Sequence, residues 1–427
     1  MTSFSLTDLA PAHREGRALG ITSICSAHPL VIRAAIEHAR DTDTTVLIEA
    51  TCNQVNQYGG YTGMRPADFA ALIYRIADES GLPRGRIILG GDHLGPNPWR
   101  HETAEAAMEK AEAMIADYAR AGFRKLHLDA SMGCRGEPAG LDDETTASRA
   151  ARLARAAEQA AHDTGAPLPF YIIGTEVPPP GGADHALTTL QPTSAAAALE
   201  TIAIHRRVFA AFGLHQAFAR VIGLVVQPGV EFGNENVILY DRPKARDLSA
   251  VLETEHQFVF EAHSTDYQGE EPLRQLVEDG FSILKVGPEL TFVLREALYG
   301  LDLIASDIVP GYGQRPLFAT MEALMLAMPD DWNRHYGGTD AEQRIQRHYS
   351  CSDRIRYYWN RPEAQEAVER LVAALDGVTI PFTVLRQHLP AHADFADRPA
   401  RPQEILIAAV KRTIATYHAA CTGRGAG

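Results

Sequence analysis

The sequence predicts an α/β protein built as a (β/α)8 TIM barrel with a helical C-terminal extension, and three observations predict it. Eight short apolar runs recur within the first 288 of its 427 residues. Helical patterns separate the runs. The connections entering them are short, whereas several leaving them are long and polar. The runs cover residues 21–27, 45–51, 86–93, 125–131, 170–177, 221–229, 257–265 and 281–288. Most are nearly continuous in Val, Ile, Leu and Phe rather than alternating. A strand covered on both faces reads this way, as in a parallel sheet. A doubly wound open sheet is the alternative topology.

The helices follow in order. Residues 66–80 carry apolar side chains at helical spacing and stop before Gly81, and residues 102–121 stop at Gly122. Residues 147–162 and 194–212 are Ala-rich, with Ser194 after Pro192 as an N-cap. Residues 273–278 form a short helix before Gly280. The connections 81–85, 122–124 and 279–280 are tight. Those at 53–65, 132–145, 178–193 and 230–246 are long and polar, so they build the active face. Beyond residue 290 the chain reads as helical, over 291–303, 320–328, 340–349, 362–375 and 403–420. This divides it into a barrel at 1–305 and a helical extension at 306–427 that packs on the barrel and completes its outer ring. Residues 423–427 read as a frayed tail.

Composition narrows the partners. The chain is 45% hydrophobic and 22% charged, with a formal charge of -14. That balance disfavours nucleic acid and anionic membranes. A phosphorylated substrate stays open, because a few local Arg, Lys and N–H groups suffice for it. The five cysteines form no CxxC pair, which argues against a zinc knuckle or a disulfide framework and for a reducing compartment. Residues 1–15 are polar, and no run approaches the roughly 18 apolar residues of a membrane span. A cytoplasmic location is expected.

Every strand ends polar although its middle is apolar. The ends offer Ser26 and His28; Glu49, Thr51 and Asn53; Asp92 and His93; Asp129 and Ser131; Thr175 and Glu176; Gln227 and Glu231; Glu261, His263, Ser264, Thr265 and Asp266; and Lys285. One such end is a capped strand. Eight together indicate a functional face, since buried polar groups are costly unless paired or used. In Gly90-Gly91-Asp92-His93, glycines that admit a ligand precede a carboxylate beside an imidazole. That pair suits a metal ligand next to a general acid/base. A strand-capping histidine is the bland reading. His263 adds a second imidazole and Glu176 a carboxylate. Strands 3, 5 and 7 alternate, so their inward residues can share one layer. His93, Glu176 and His263 are therefore the predicted ligands of a divalent metal, Zn2+ first, with Mn2+, Ni2+ or Co2+ as alternatives.

Asn53, Gln54 and the neighbouring Asn56 and Gln57 suit a sugar with many hydroxyls, although a surface turn would look the same. Ser131 and Gln227 are further substrate contacts. Ser264, Thr265 and Lys285 lie where such barrels often hold a phosphate. In the segment 350–359, Arg354 or Arg356 could clamp a phosphate bidentately, and Arg354 is taken into the substrate set. Salt-bridged arginines on a docking helix are the competing reading. No GxGxxG or GxxxxGK[ST] motif is present, which disfavours a nicotinamide enzyme or a nucleotide-dependent kinase.

The stretches ICSAHPL (24–30), LIEATCNQVNQYGGYT (47–62), IILGGDHLGPN (87–97), HLDASM (127–132), IGTEVP (173–178), VVQPGVEF (225–232), EAHSTDYQ (261–268), LKVGP (284–288) and SDRIRYYW (352–359) resemble the Z-subunit family of tagatose-bisphosphate aldolase, the GatZ/KbaZ type. The resemblance spans almost the whole chain. It implies a barrel related to class II fructose-bisphosphate aldolases. In that family Asp92-His93 looks like the acid/base aspartate followed by a metal histidine, and His263 like the third metal histidine. The second metal histidine would fall near Glu176, where this chain departs from the pattern, so ordinary aldolase activity is in doubt. Members of the family are described as ketose-phosphate 4-epimerases, as kinases, or as non-catalytic partners of a catalytic aldolase Y subunit.

Chemistry favours the epimerase. C4–H of a 2-ketose is not adjacent to the C2 carbonyl, so simple enolisation cannot invert C4. With no nicotinamide motif, cleavage and re-addition across C3–C4 remains. The expected reaction interconverts tagatose 6-phosphate and fructose 6-phosphate, or the free sugars, in tagatose or galactitol-type catabolism. Asp92, or one of Glu49, Asp129 and Glu176, would serve as acid/base. The alternative is an accessory, chaperone-like subunit of class II D-tagatose-1,6-bisphosphate aldolase. Homo-oligomerisation is also open.

Overall fold

The computed structural model describes residues 4–174 and 190–423. Eight parallel strands close into a barrel: β1 (Ile21–Cys25), β2 (Val46–Thr51), β3 (Ile87–Leu94), β4 (Lys125–Leu128), β5 (Phe170–Ile173), β6 (Val221–Val226), β7 (Val259–Ala262) and β8 (Ile283–Val286). β8 pairs back onto β1, with Ser23 opposite Lys285, so no edge is left open. The expected barrel is observed, and the doubly wound sheet, which needs two edges, is not.

A helix follows each strand: α1 (Pro29–Asp41), α2 (Pro66–Ser80), α3 (Ala104–Arg120), α4 (Asp143–Thr164), α5 (Ala195–Ala211), α6 (Arg242–Ser249), α7 (Glu270–Glu278) and α8 (Pro288–Ile308). The polar loop expected at 230–246 thus gives way to α6 from Arg242, and α1 has no counterpart in the pattern read above. Local chemistry sets the helix ends. Ser194 Oγ accepts from Ala197 N at 3.2 Å, as its sequence position predicts. α2 stops where Gly81 takes φ 78°, a left-handed conformation that costs glycine nothing. α4 buries Ala147, Ala150, Ala151, Ala154, Ala157 and Ala161 along one stripe, which lets it lie closely between α3 and α5.

The extension comprises α9 (Pro316–Ala327), α10 (Asp340–Tyr349), α11 (Pro362–Leu375), α12 (Phe382–His388) and α13 (Pro402–Thr422). α9, α11 and α12 pack on α8. α13 returns to the barrel, where it packs on α1, α7, α8 and β1 and closes the ring between α7 and α1. Gly20 N donates to Cys421 O at 2.8 Å, tying the two chain ends together. Among the described residues no helix is long and apolar enough to cross a membrane.

The barrel interior changes chemistry along its axis. At the strand starts Ile21, Leu47, Ile172, Val259 and Ile283 form an apolar plug sealed by Leu6 and Leu9. One layer up lies a fully buried ionic set of Ser23, Glu49, Lys125 and Glu261. Above it, at the strand ends, the imidazoles gather.

Candidate active site

Inward side chains repeat every second residue along a strand. β4 therefore delivers Lys125, His127 and then Asp129, and β7 delivers Glu261 and then His263. β3 breaks the rule. Its register shifts between Gly91 and Leu94, and His93 adopts φ 48°. This bulge turns Asp92 and His93 into the same site, which a regular strand would place on opposite faces. Ser264, at the end of β7, has φ 51°. Two non-glycine residues held in this region at one mouth are strain of the kind found at functional sites.

The rings of His93, His127 and His263 form a triangle, with centroids 5.0, 5.1 and 5.3 Å apart. Each ring has a carboxylate. His93 Nδ1 lies 2.8 Å from Asp129 Oδ2, His127 Nδ1 3.1 Å from Asp92 Oδ1, and His263 Nε2 2.8 Å from Glu261 Oε1. His127 Nε2 also lies 2.9 Å from the Gly174 carbonyl, which can only accept, so Nε2 carries the hydrogen. Nδ1 then faces the carboxylate of Asp92 with either a proton or a cation between them.

Lys285 Nζ pairs with Asp92 Oδ2 and sits 2.8 Å from His93 Nε2. Below, Lys125 Nζ lies 2.6 Å from Glu49 Oε1 and 2.7 Å from Glu261 Oε2, and Ser23 Oγ donates to Glu49. One ammonium shared by two buried carboxylates does not serve both equally. Burial opposes the Glu261 charge, but Lys125 and His263 hold its carboxyl far below the usual range. Burial pushes Glu49 up, towards the protonated form, with Glu261 and Asp92 adding to the effect. Burial likewise opposes Asp92, and His93, Lys285 and His127 overcome it. His263 is pushed down to about 3 by burial, then by Lys285, and is neutral at pH 7.

These groups fit a divalent cation. Donor atoms of Asp92, His127, Glu261 and His263 all lie within 4.8 Å of one another. His127 and His263 supply the imidazoles of that set, while His93 stands beside it, with Nδ1 on Asp129 and Nε2 2.8 Å from Lys285 Nζ. Carboxylates and a carbonyl on the other ring nitrogens are the usual orienting partners of metal-bound histidines.

His93, His263, Asp129 and Lys285 reach a cavity of about 830 Å3 also lined by Cys25, Asn53, Gln54, Ser264, Asp266 and Arg356, among others, while Asp92, His127 and Glu261 lie beneath its floor. The sequence expectations distribute unevenly over it. His93, His263, Asp92, Asp129 and Lys285 converge. Asn53, Gln54 and Ser264 line the walls. Ser131 donates to Asp129 Oδ1 at 3.1 Å and so positions a cavity residue.

Other expected residues have structural duties. Glu49 lies in the ionic layer beneath the floor. Gln227 is buried, its Oε1 accepting from Gly229 N and Val230 N at 2.8 and 3.0 Å, so it shapes a turn. Thr265 is buried and donates to the Lys285 carbonyl at 2.7 Å. Arg354 turns away from the cavity, with Nη1 3.1 Å from Asp331 O, while Arg356 lines it. Gly90 makes room for a side chain rather than a ligand, since a Cβ there would lie 2.7 Å from Glu49 Cγ. Glu176 lies outside the described residues. Glu261 was read only as one of the polar strand ends, and His127 and Lys125 were not among the expected site residues. The period-two spacing of Lys125, His127 and Asp129 was the signal for them.

Comparison with known proteins identifies the family. Residues 6–422 match the family described as D-tagatose-1,6-bisphosphate aldolase subunit GatZ/KbaZ-like. The chain is 61% identical over 420 residues to a D-tagatose 6-phosphate 4-epimerase of Agrobacterium fabrum, covering 98% of this chain and 99% of that protein. A crystal structure of a probable tagatose 6 phosphate kinase from Sinorhizobium meliloti 1021 superposes with a TM-score of 0.86 at 55% identity, covering 94% of this chain and all of that one.

Proposed function

The chain belongs to the GatZ/KbaZ-like family of D-tagatose-1,6-bisphosphate aldolase subunits, and from that membership and the cavity floor we propose that it is a metal-dependent ketohexose 6-phosphate 4-epimerase. Its substrates are then D-tagatose 6-phosphate and D-fructose 6-phosphate. The observation that carries the reading is the triangle of carboxylate-bound imidazoles on the floor of a sugar-sized cavity. The name of the Agrobacterium relative supports it independently. The kinase activity in the name of the Sinorhizobium protein finds no support in a sequence without a GxxxxGK[ST] loop.

His127 and His263, with Asp92 and Glu261, are the residues that would hold the cation, and His93 stands between that set and Lys285. When bound, it supplies a Lewis acid for the negative charge that develops on the substrate oxygens. Of the four carboxylates considered as acid/base, Asp129 lines the cavity, Asp92 and Glu49 are wholly buried, and Glu176 lies outside the described residues. Asp129 therefore takes the proton of the C4 hydroxyl. The C3–C4 bond breaks, its electron pair passes into the C2–C3 unit, and C4 becomes an aldehyde. Re-addition to the other aldehyde face rebuilds C3–C4, and the proton returns to the C4 oxygen. His93 and Ser131 hold the two Asp129 oxygens in place. Burial opposes the charge of Asp129, but His93 keeps its pKa far below normal, so the carboxylate is ionised at neutral pH.

Incubating the pure protein with D-tagatose 6-phosphate in D2O tests this. Fructose 6-phosphate that is formed without deuterium at C4, and lost on chelation, is the expected result. Inactivity with every divalent metal, together with stimulation of a co-expressed class II aldolase, would favour the accessory role instead.

A further inference from the structure

We propose that Arg356 is the phosphate-recognising side chain of this cavity, so that the C-terminal extension, not the barrel, selects the phosphorylated sugar. The inference rests on the epimerase reading above and deepens it. It begins from an occupied corner. Barrels of this kind often hold phosphate after β7 and β8. Here Asp266 Oδ1 accepts from Gly287 N at 3.1 Å and from Glu289 N at 2.8 Å, so the N–H groups opening α8 already face a carboxylate. Lys285 is committed to Asp92 and His93. His28, pushed down to about 4 by burial, is uncharged at neutral pH. Of the cavity-lining cations among the described residues that leaves Arg100, which is exposed, and Arg356, which is half-buried.

The surroundings of Arg356 are built and electrically incomplete. Nη1 donates to the main-chain oxygens of Ser352 and, at 3.1 Å, Asp353; Nη2 donates to Tyr357 Oη at 2.9 Å. The guanidinium carbon lies 4.5 Å from the centre of the Tyr357 ring. None of these partners is an anion. Among the described residues no carboxylate lies within ion-pair distance of Arg356, and its Nε–H has no partner. Asp353 and Asp266 act on this charge only at longer range, without an ion pair, and the Nε edge of the guanidinium suits two phosphate oxygens.

The arm is rigid. Asp353, at φ 45°, accepts from Thr291 Oγ1 at 2.6 Å and from Arg295 Nε at 2.9 Å, pinning the turn Arg354–Tyr358 to α8. From the barrel side, Tyr61 meets Tyr357 edge-on at 5.0 Å, and Asn360 Nδ2 donates to Tyr61 O at 2.7 Å. The loop after β2 and this arm thus clasp across the mouth.

Arg356→Gln and Arg356→Lys test the assignment, each checked by circular dichroism for native folding. Calorimetric titration with D-fructose 6-phosphate, D-fructose and inorganic phosphate reads binding without turnover. The expected result is that Arg356→Gln weakens the sugar phosphate by roughly 10- to 100-fold and abolishes inorganic phosphate binding, leaving fructose unchanged. Arg356→Lys, which keeps charge without the fork, should fall between. Equal loss for fructose and its phosphate, or unchanged phosphate binding in folded Arg356→Gln, overturns the proposal. So does a wild-type protein that binds no sugar phosphate. A wild-type protein that binds the sugar phosphate through Arg356 without epimerising it would refute the epimerase reading and leave this one standing.

Discussion

Lys125 has no water to share its charge; it is fully buried between two carboxylates. Replacing it with Met should leave Glu49 and Glu261 in the barrel without their cation. Removing one partner of a buried ion pair costs about 3–5 kcal/mol, and Lys125→Met is expected in that range by urea unfolding. Adding Glu49→Gln and Glu261→Gln should restore much of the loss, since the two carboxylates no longer need a counter-ion. A cost no larger than the ~1 kcal/mol of a surface pair would show that water reaches the layer. The sequence makes Asp92, His93 and His263 readable because they stand at the ends of apolar runs. It hides Lys125, which opens its run and looks like a strand boundary, and His127, which stands inside that run one inward step before Asp129. Glu261 is visible as a strand end, but its pairing with a buried lysine is not. Arg354 and Arg356 are indistinguishable by type and spacing, and only the tight turn that carries them decides which one faces the cavity.

Helices show a similar divide. Those with alanine or leucine stripes, such as α2, α4 and α11, are legible because burial imposes their period. α6 is missed because Arg242–Ser249 is half charged and buries little beyond Ala245 and Leu248. α1 is missed because its start, His28-Pro29, reads as a strand end followed by a turn. That start has its own chemistry. His28 Nδ1 accepts from Leu30 N at 3.2 Å, which requires an unprotonated ring. His28→Ala should therefore cost about 1 kcal/mol, seen as a lowered melting temperature at pH 7. The cap also predicts a pH effect. Burial lowers the folded pKa to about 4, against an ordinary value of 6.5. Between those values the unfolded chain takes up a proton that the folded chain refuses, so stability falls as pH drops below about 6.5 and levels off near 4. The wild-type protein should lose more stability between pH 7 and pH 5 than His28→Ala. Parallel pH profiles for the two would remove His28 from that account.

On the scale of the whole molecule, the strands define a barrel within the first 286 residues, but the barrel is finished by the last helix. A division at residue 305 keeps all eight strands together and leaves the outer faces of β1, α1 and α7 to a segment more than ninety residues further on. α13 buries Ile405, Leu406, Val410, Ile414 and Tyr417 there, and Tyr417 Oη donates to the Thr265 carbonyl at 2.6 Å. At about 1.5–3 kcal/mol for each buried side chain, removing α13 forfeits an amount comparable with the 5–15 kcal/mol that holds a typical protein together. A chain ending at residue 401 is therefore expected to lack a cooperative thermal transition and to aggregate, although every strand and every imagined ligand is present. The same reasoning explains why the extension can bear on the chemistry. α8 carries both the Asp353 anchor of the Arg356 arm and one flank of α13, so ring closure and cavity wall share one helix. A 1–401 fragment that melted cooperatively near the full-length temperature would show that the ring closes without α13, and with it would go the claim that the two ends of this chain form one folding unit.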